Sequence, residues 1–391
     1  MRRSLLPVLA SLLSAFAVLA MPPSLGRQGA TTVEAASSQF IIFSGIGTKT
    51  FGATPFVISP TATSGLTVSL SASGQCSLSL GTSPATVTIT GAGSCAITAT
   101  QAGNGSFAAA TPVTRTFTIL KASQSIAFGV VPSSATYGVP PFAISPAASS
   151  GLPVALTVSF GPCQLVTAPN DSTPDLVSPA FIKVNGAGSC WIQASQAGDA
   201  NTNAAFFVTK VISIGRAPLT VTAASPAPQP FGSAIPAITG SLSGFVNGDG
   251  PGSLGSSLNC TVAASVASPP STYTTWCSGL TAANYSITYA TGLLTITKAG
   301  QVLGIAPIAD KAVGDAPFTV TTSSVSSVTS AGTGLFVTLS SLTPSVCTVS
   351  PTWFGPVTIV GPGTCTLQAD QAGSANFNAA APAQASFTVN P

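Results

Sequence analysis

One thirteen-residue stretch occurs three times in this chain and narrows its possible folds more than any other feature. Gly91-Ala-Gly-Ser-Cys95-Ala-Ile-Thr-Ala-Thr-Gln-Ala-Gly103 returns as Gly186-Ala-Gly-Ser-Cys190-Trp-Ile-Gln-Ala-Ser-Gln-Ala-Gly198, and again as Gly361-Pro-Gly-Thr-Cys365-Thr-Leu-Gln-Ala-Asp-Gln-Ala-Gly373. Each copy reads as a turn, a strand and a second turn. Alternate residues of the strand are apolar: Ile97 and Ala99, Ile192 and Ala194, Leu367 and Ala369. A two-residue period marks a strand with one buried face. Recurrence this faithful marks tandem copies of one unit.

The order of segments extends the repeat. A first unit, 38–121, carries short apolar or alternating runs at 40–43, 55–58, 66–70, 76–80, 85–90, 95–100 and 116–120, with Gly, Pro and Ser between them. That pattern predicts an immunoglobulin-type antiparallel β-sandwich. A second unit, 122–216, repeats it: Phe51-Gly-Ala-Thr-Pro-Phe56 returns as Tyr137-Gly-Val-Pro-Pro-Phe142, with a longer polar loop at 169–175. The third, 217–298, is a cousin that keeps Phe231-Gly232 and adds Gly244-Phe-Val-Asn-Gly-Asp249, a strand end running into an Asn-Gly turn. The fourth, 299–391, returns to the first pattern. Few residues separate one unit's last strand from the next unit's first, which predicts a semi-extended rod of four sandwiches.

Eight cysteines fall two to a unit, at Cys76 and Cys95, Cys163 and Cys190, Cys260 and Cys277, Cys347 and Cys365. The N-terminus explains them. Arg2 and Arg3 precede an apolar run from Leu5 to Ala20, and small residues follow, the layout of an export signal within a leader spanning 1–37. Val18-Leu19-Ala20 and Val33-Glu34-Ala35 both offer a cleavage site, and the sequence does not choose between them. The run is short for a membrane span and interrupted by Pro7, Ser11 and Ser14. No cysteine stands near it for a lipid anchor, and no second apolar stretch of spanning length follows. In an exported chain, paired cysteines read as disulfides, and confinement to four units selects sequential pairing. A zinc site wants closely spaced cysteines or histidine, and this chain has neither.

Charge narrows the partners. Charged residues make up 5% of the chain, and without the leader through Ala35 the net charge is +1. No run of Lys or Arg exists to neutralise phosphates or anionic lipids, so no nucleic-acid partner is expected. Regularly spaced β-branched and aromatic residues speak against disorder, despite 38 Gly and 32 Pro.

On these residues, units one, two and four resemble the bacterial Ig-like repeats of exported and surface proteins, whose G-A-G-[ST]-C-x-[IL]-x-A-x-Q-A-G segment they reproduce. Unit three is similar to the MBG-type repeats of bacterial adhesin-like proteins through Leu219-Thr-Val-Thr222, Phe231-Gly232, Gly244-Phe-Val-Asn-Gly-Asp249, Cys277-Ser-Gly-Leu280 and Asn284-Tyr-Ser-Ile-Thr-Tyr289. Those repeats usually carry Tyr where Phe231 stands. The resemblance implies an extracellular or envelope location. It carries over no catalytic, cofactor or metal residues, and none is expected.

Without histidine there is no Ser-His-Asp or Cys-His pair. Gly45-Ile-Gly-Thr-Lys49-Thr lacks the spacing of a phosphate loop. Asp171 with Asp175, and Asp310 with Asp315, are the local carboxylate pairs that a glycosidase would need, and each reads equally as polar turn residues. The sharper candidates are tryptophans. Trp191 and Trp276 each adjoin a cysteine, so an inward sulfur turns the ring outward, and Trp353 occupies a turn. Exposed rings stack on sugars or anchor a protein partner; equally, a neighbouring repeat covers them or the outer sheet face tolerates them. The sequence thus predicts a secreted or surface spacer or adhesion module whose partner is an unknown protein or glycan. A carbohydrate-binding envelope protein using those rings is the second reading.

Overall fold

The computed structural model describes residues 34–168, 177–351 and 355–391. The leader through residue 33, the polar loop 169–175 with Asp171 and Asp175, and Trp353 lie outside the described residues. The described chain is all β apart from one 3-10 turn at Pro251–Ser253. It divides into two compact units, one ending at Ala122 and one running from Ser123 to Pro391.

In the first repeat a four-stranded sheet is ordered Lys49–Thr50, Ala110–Leu120, Gly93–Gln101, Ser69–Gly74, and a three-stranded sheet is ordered Phe56–Ile58, Ala85–Ile89, Cys76–Leu78. The second repeat reproduces both: Ser134–Thr136, Val208–Gly215, Gly188–Ser195, Ala155–Phe160 and Phe142–Ile144, Ala180–Val184, Cys163–Val166. The fourth repeat has the same four-stranded sheet, from Lys311–Ala312 to Thr338–Ser341. One strand of each such sheet is parallel to its neighbour. Lys49–Thr50 crosses over from the pair made by Ile41–Ile42 and Thr61–Ala62, and so runs alongside the closing strand in the same direction. Its two residues show no alternation, which is why the sequence does not reveal this strand. Lys49, at the false phosphate loop, lays its Nζ 4.6 Å from the centre of the Phe56 ring.

The recurring motif now has a structural account. Cys95, Ile97 and Ala99 are fully buried on one face of their strand. The glutamine that follows is a clamp. Gln101 Oε1 accepts from the Gly103 N–H at 2.5 Å and from Gln39 Nε2 at 2.6 Å, while Gln39 Nε2 also donates to the Ala108 carbonyl at 2.7 Å. The same amide pair forms between Gln124 and Gln196 and between Gln301 and Gln371. Gly103 has φ +78°, and a Cβ there would lie 2.4 Å from the Phe107 carbonyl oxygen, so only glycine closes this turn. Replacing buried Gln39 with Leu leaves the Gln101 carbonyl and the Ala108 carbonyl short of a donor. It is expected to cost about 1–3 kcal/mol, seen as a lowered denaturant midpoint for the unit ending at Ala122.

Four disulfides brace the four repeats, and they are of two kinds. Cys76–Cys95, Cys163–Cys190 and Cys347–Cys365 join different sheets, with Cα atoms 5.7, 5.9 and 5.7 Å apart. Cys260–Cys277 links neighbouring strands of one sheet, directly opposite each other, at a Cα separation of 4.0 Å. The third repeat is therefore stitched along a sheet and not across its core, a distinction that cysteine spacing does not carry.

The core of the second repeat continues into the third. Val208–Gly215 ends one residue before Ala217–Ala223 begins, so Ile212 and Ile214 share a single cluster with Ala217, Leu219 and Tyr285. Over that joint, Tyr137 donates to Asp249 Oδ2 at 3.0 Å and Tyr285 to the same oxygen at 2.6 Å, their rings meeting edge to face at 5.7 Å. Asn247 and Gly248 turn the chain with φ of 56° and 77°, as the Asn-Gly pair predicts, and this turn delivers Asp249. Gly138 (φ +95°) has no room for a Cβ, which would come 2.6 Å from Val246. The joint to the fourth repeat reuses the same turn: Phe231, beside Gly232, meets Phe377 edge to face at 5.6 Å. At Tyr137-Gly138 and Phe231-Gly232 the aromatic-glycine pair is thus a docking element between one repeat and the next, whereas Phe51 packs against the core of its own repeat.

Burial, together with the hydrogen bond to Asp249, raises the Tyr285 phenol above its usual value near 10. Folding therefore holds this proton more tightly. Its contribution to stability is fully present below about pH 10 and is lost as pH rises through the raised folded value. The stability difference between the native chain and Tyr285→Phe is expected to be flat from pH 7 to 9 and to shrink above that, checked by denaturation midpoints across the range.

Candidate functional site

Trp191 follows inward-pointing Cys190 and precedes inward-pointing Ile192, so alternation puts its ring on the outer face of the four-stranded sheet, 44% exposed. It does not stand alone. Across the ladder it pairs with Phe160 on one side and Val211 on the other, and these are 68% and 44% exposed. The three form one apolar row perpendicular to the strands. The sequence pattern does not reveal Phe160, because strict alternation from Leu156 and Val158 would bury it. A β-bulge at Ser159 shifts the register between Val158 and Phe160 and turns the Phe160 ring outward. The Ser159 hydroxyl donates to the Trp191 carbonyl at 3.3 Å. The only advance signal is the one residue by which 157–160 exceeds the matching stretch 71–73.

The equivalent rows in the other copies differ. Ala96 takes the place of Trp191 in the first repeat and pairs with Ser73 and Thr116. Thr366 takes it in the fourth, hydrogen bonded to Ser386 at 2.9 Å between hydroxyls, with Leu342 alongside. Above and below the tryptophan row of the second repeat the outer face is polar and uncharged, with Thr157, Gln193 and Thr209 forming the adjacent row.

Trp276 also points outward from its strand, 38% exposed, opposite Thr261 and near Leu293. It lies on a sheet of the third repeat, so the fold does not bring it together with Trp191 in one row. Asp310 Oδ1 accepts the Thr388 N–H at 2.8 Å and Asp315 Oδ2 accepts the Ala312 N–H at 3.0 Å. Both carboxylates hold backbone at the edge of the sheet. Among the described residues no three His, Cys, Asp or Glu lie together as metal ligands, and no helix is long and apolar enough to cross a membrane.

Residues 219–295 match the family model of the MBG domain (YGX type). A comparison with curated proteins finds no match. Among solved structures the chain is similar to protocadherin gamma B2 extracellular cadherin domains 3–6, with 11% identity, 89% of this chain and 98% of that one covered, and a TM-score of 0.37. It is similar also to invasin, a bacterial integrin-binding protein, at 15% identity, 90% and 79% coverage and a TM-score of 0.32. A third is a tetra-tandem repeat from the extending region of a large adhesion protein, at 12% identity, 91% and 100% coverage and a TM-score of 0.33.

Proposed function

We propose that this chain is an exported, non-catalytic repeat protein of the bacterial surface or surroundings, working as a spacer or adhesion module. One observation carries the reading: the chemically distinctive groups of the recurring motif are occupied in holding the repeat's own fold together. The cysteines are bridged, the glutamines clamp backbone, and the glycines close turns. What varies between repeats lies on outer faces and at joints, where a module of this kind differs from its neighbours. Oxidised cysteines in every repeat support an oxidising location.

The test is fractionation of producing cells combined with thiol labelling of the denatured, unreduced chain. The expected result is chain outside the cytoplasm, shortened at its N-terminus, with no labelled thiol. Full-length chain in the cytosol with reactive thiols would overturn the reading.

A further inference from the structure

The outer face of the second repeat's four-stranded sheet carries a feature that its fold does not need. The first and fourth repeats build the same sheet, in the same register, with Ala96 or Thr366 at the centre of the row. The second repeat puts Phe160, Trp191 and Val211 there, and an extra residue in the edge strand is what turns Phe160 outward. Exposed apolar side chains in one contiguous row stand apart from scattered singles, and such rows mark binding surfaces.

We propose that this row is a stacking platform by which the second repeat grips an uncharged polysaccharide. Three properties select that partner. The row offers aromatic faces on a sheet, a surface on which the C–H faces of pyranose rings lie flat. The flanking row of Thr157, Gln193 and Thr209 supplies hydroxyl and amide groups that both donate and accept, as ring hydroxyls require. No side chain directed outward from this sheet is charged: its outward positions are Ser, Thr, Gln, Ala, Phe, Trp and Val. A nucleic acid, an acidic polymer or a charged peptide would find no counter-charge here, and a neutral polymer needs none. Lys210 pairs with Ile192 and so belongs to the opposite face.

The proposal rests on the reading of the chain as exported, since only outside the cell does it meet such polymers. The oxidised full chain is run in native gels containing soluble neutral β-glucan, and is pulled down with insoluble cellulose and chitin, with polygalacturonate as the anionic control. Retention by at least one neutral polymer is expected, weakened tenfold or more by Trp191→Ala, several-fold by Phe160→Ala, only partly by Trp191→Phe, and not at all by Trp276→Ala. An unchanged denaturant midpoint for each variant separates lost contact from lost folding. The proposal fails if no neutral polymer retains the chain, if only polygalacturonate does, or if Trp191→Ala binds like the native protein. It fails equally if Trp191→Ala converts a dimer to a monomer in sedimentation, which would make the face a self-association surface. Loss of polymer binding would leave the export result standing, and cytosolic chain would leave the binding measurement valid, so the two failures are distinguishable.

Discussion

Replacing Cys95 with Ala is expected to lower the stability of the unit ending at Ala122 by about 3 kcal/mol, the chain-entropy value for a loop of this length. The bridge closes a separation of 19 residues and joins the two sheets at their core, where Cys95 is fully buried and Cys76 nearly so. Without it, the sheets are held by apolar packing around Ile97, Val87 and Phe117 and by the Gln39–Gln101 clamp. Small domains keep roughly 5–15 kcal/mol of stability in all, so the loss is a large share. Urea denaturation of the full chain should show an early transition in the variant, while the transition of the unit from Ser123 onward stays where it was. A single shifted transition for the whole molecule would show that the two units are not energetically separate.

Removing the Tyr285 ring should have an effect at least as large, and of a different kind. Tyr285 is 2% exposed, lies in the core shared by the second and third repeats, and donates to Asp249, the carboxylate that Tyr137 reaches from across the joint. Truncating a buried aromatic ring to Ala costs about 3–5 kcal/mol. The third repeat's own cluster, built on Val221, Ala223 and Cys277, is small, so the coupling to the second repeat is what stabilises it. In the native protein the two repeats are expected to unfold together. Trp191 reports on one and Trp276 on the other, each read by fluorescence in a background where the other two tryptophans, Trp353 included, are replaced. Coincident curves in the native protein and separated curves in Tyr285→Ala are the expected outcome, with the third repeat melting first. Tyr285→Phe keeps the ring and loses the hydroxyl, and should separate the curves far less. Separate curves in the native protein would refute the shared core.

Much of the architecture was legible before any coordinates. The two-residue alternation after Cys95, Cys190 and Cys365 states which side chains face inward, because that depends only on strand geometry. With two cysteines to a repeat, the pairing followed too, and the Asn247-Gly248 turn was readable from the backbone preferences of those residue types. These are local properties, fixed within a few residues along the chain.

Tertiary structure alone decided the rest. Whether Cys260 bridges along a sheet or across a core depends on which strands become neighbours. The aromatic-glycine pair was visible as a repeat, yet its role at Tyr137-Gly138 depends on Val246 and Asp249, over a hundred residues away. Phe160 is the sharpest case, since the sequence pattern buries it and the bulge exposes it. A bulge is set by register against a partner strand, and register is a relation between distant segments that no single stretch of sequence contains.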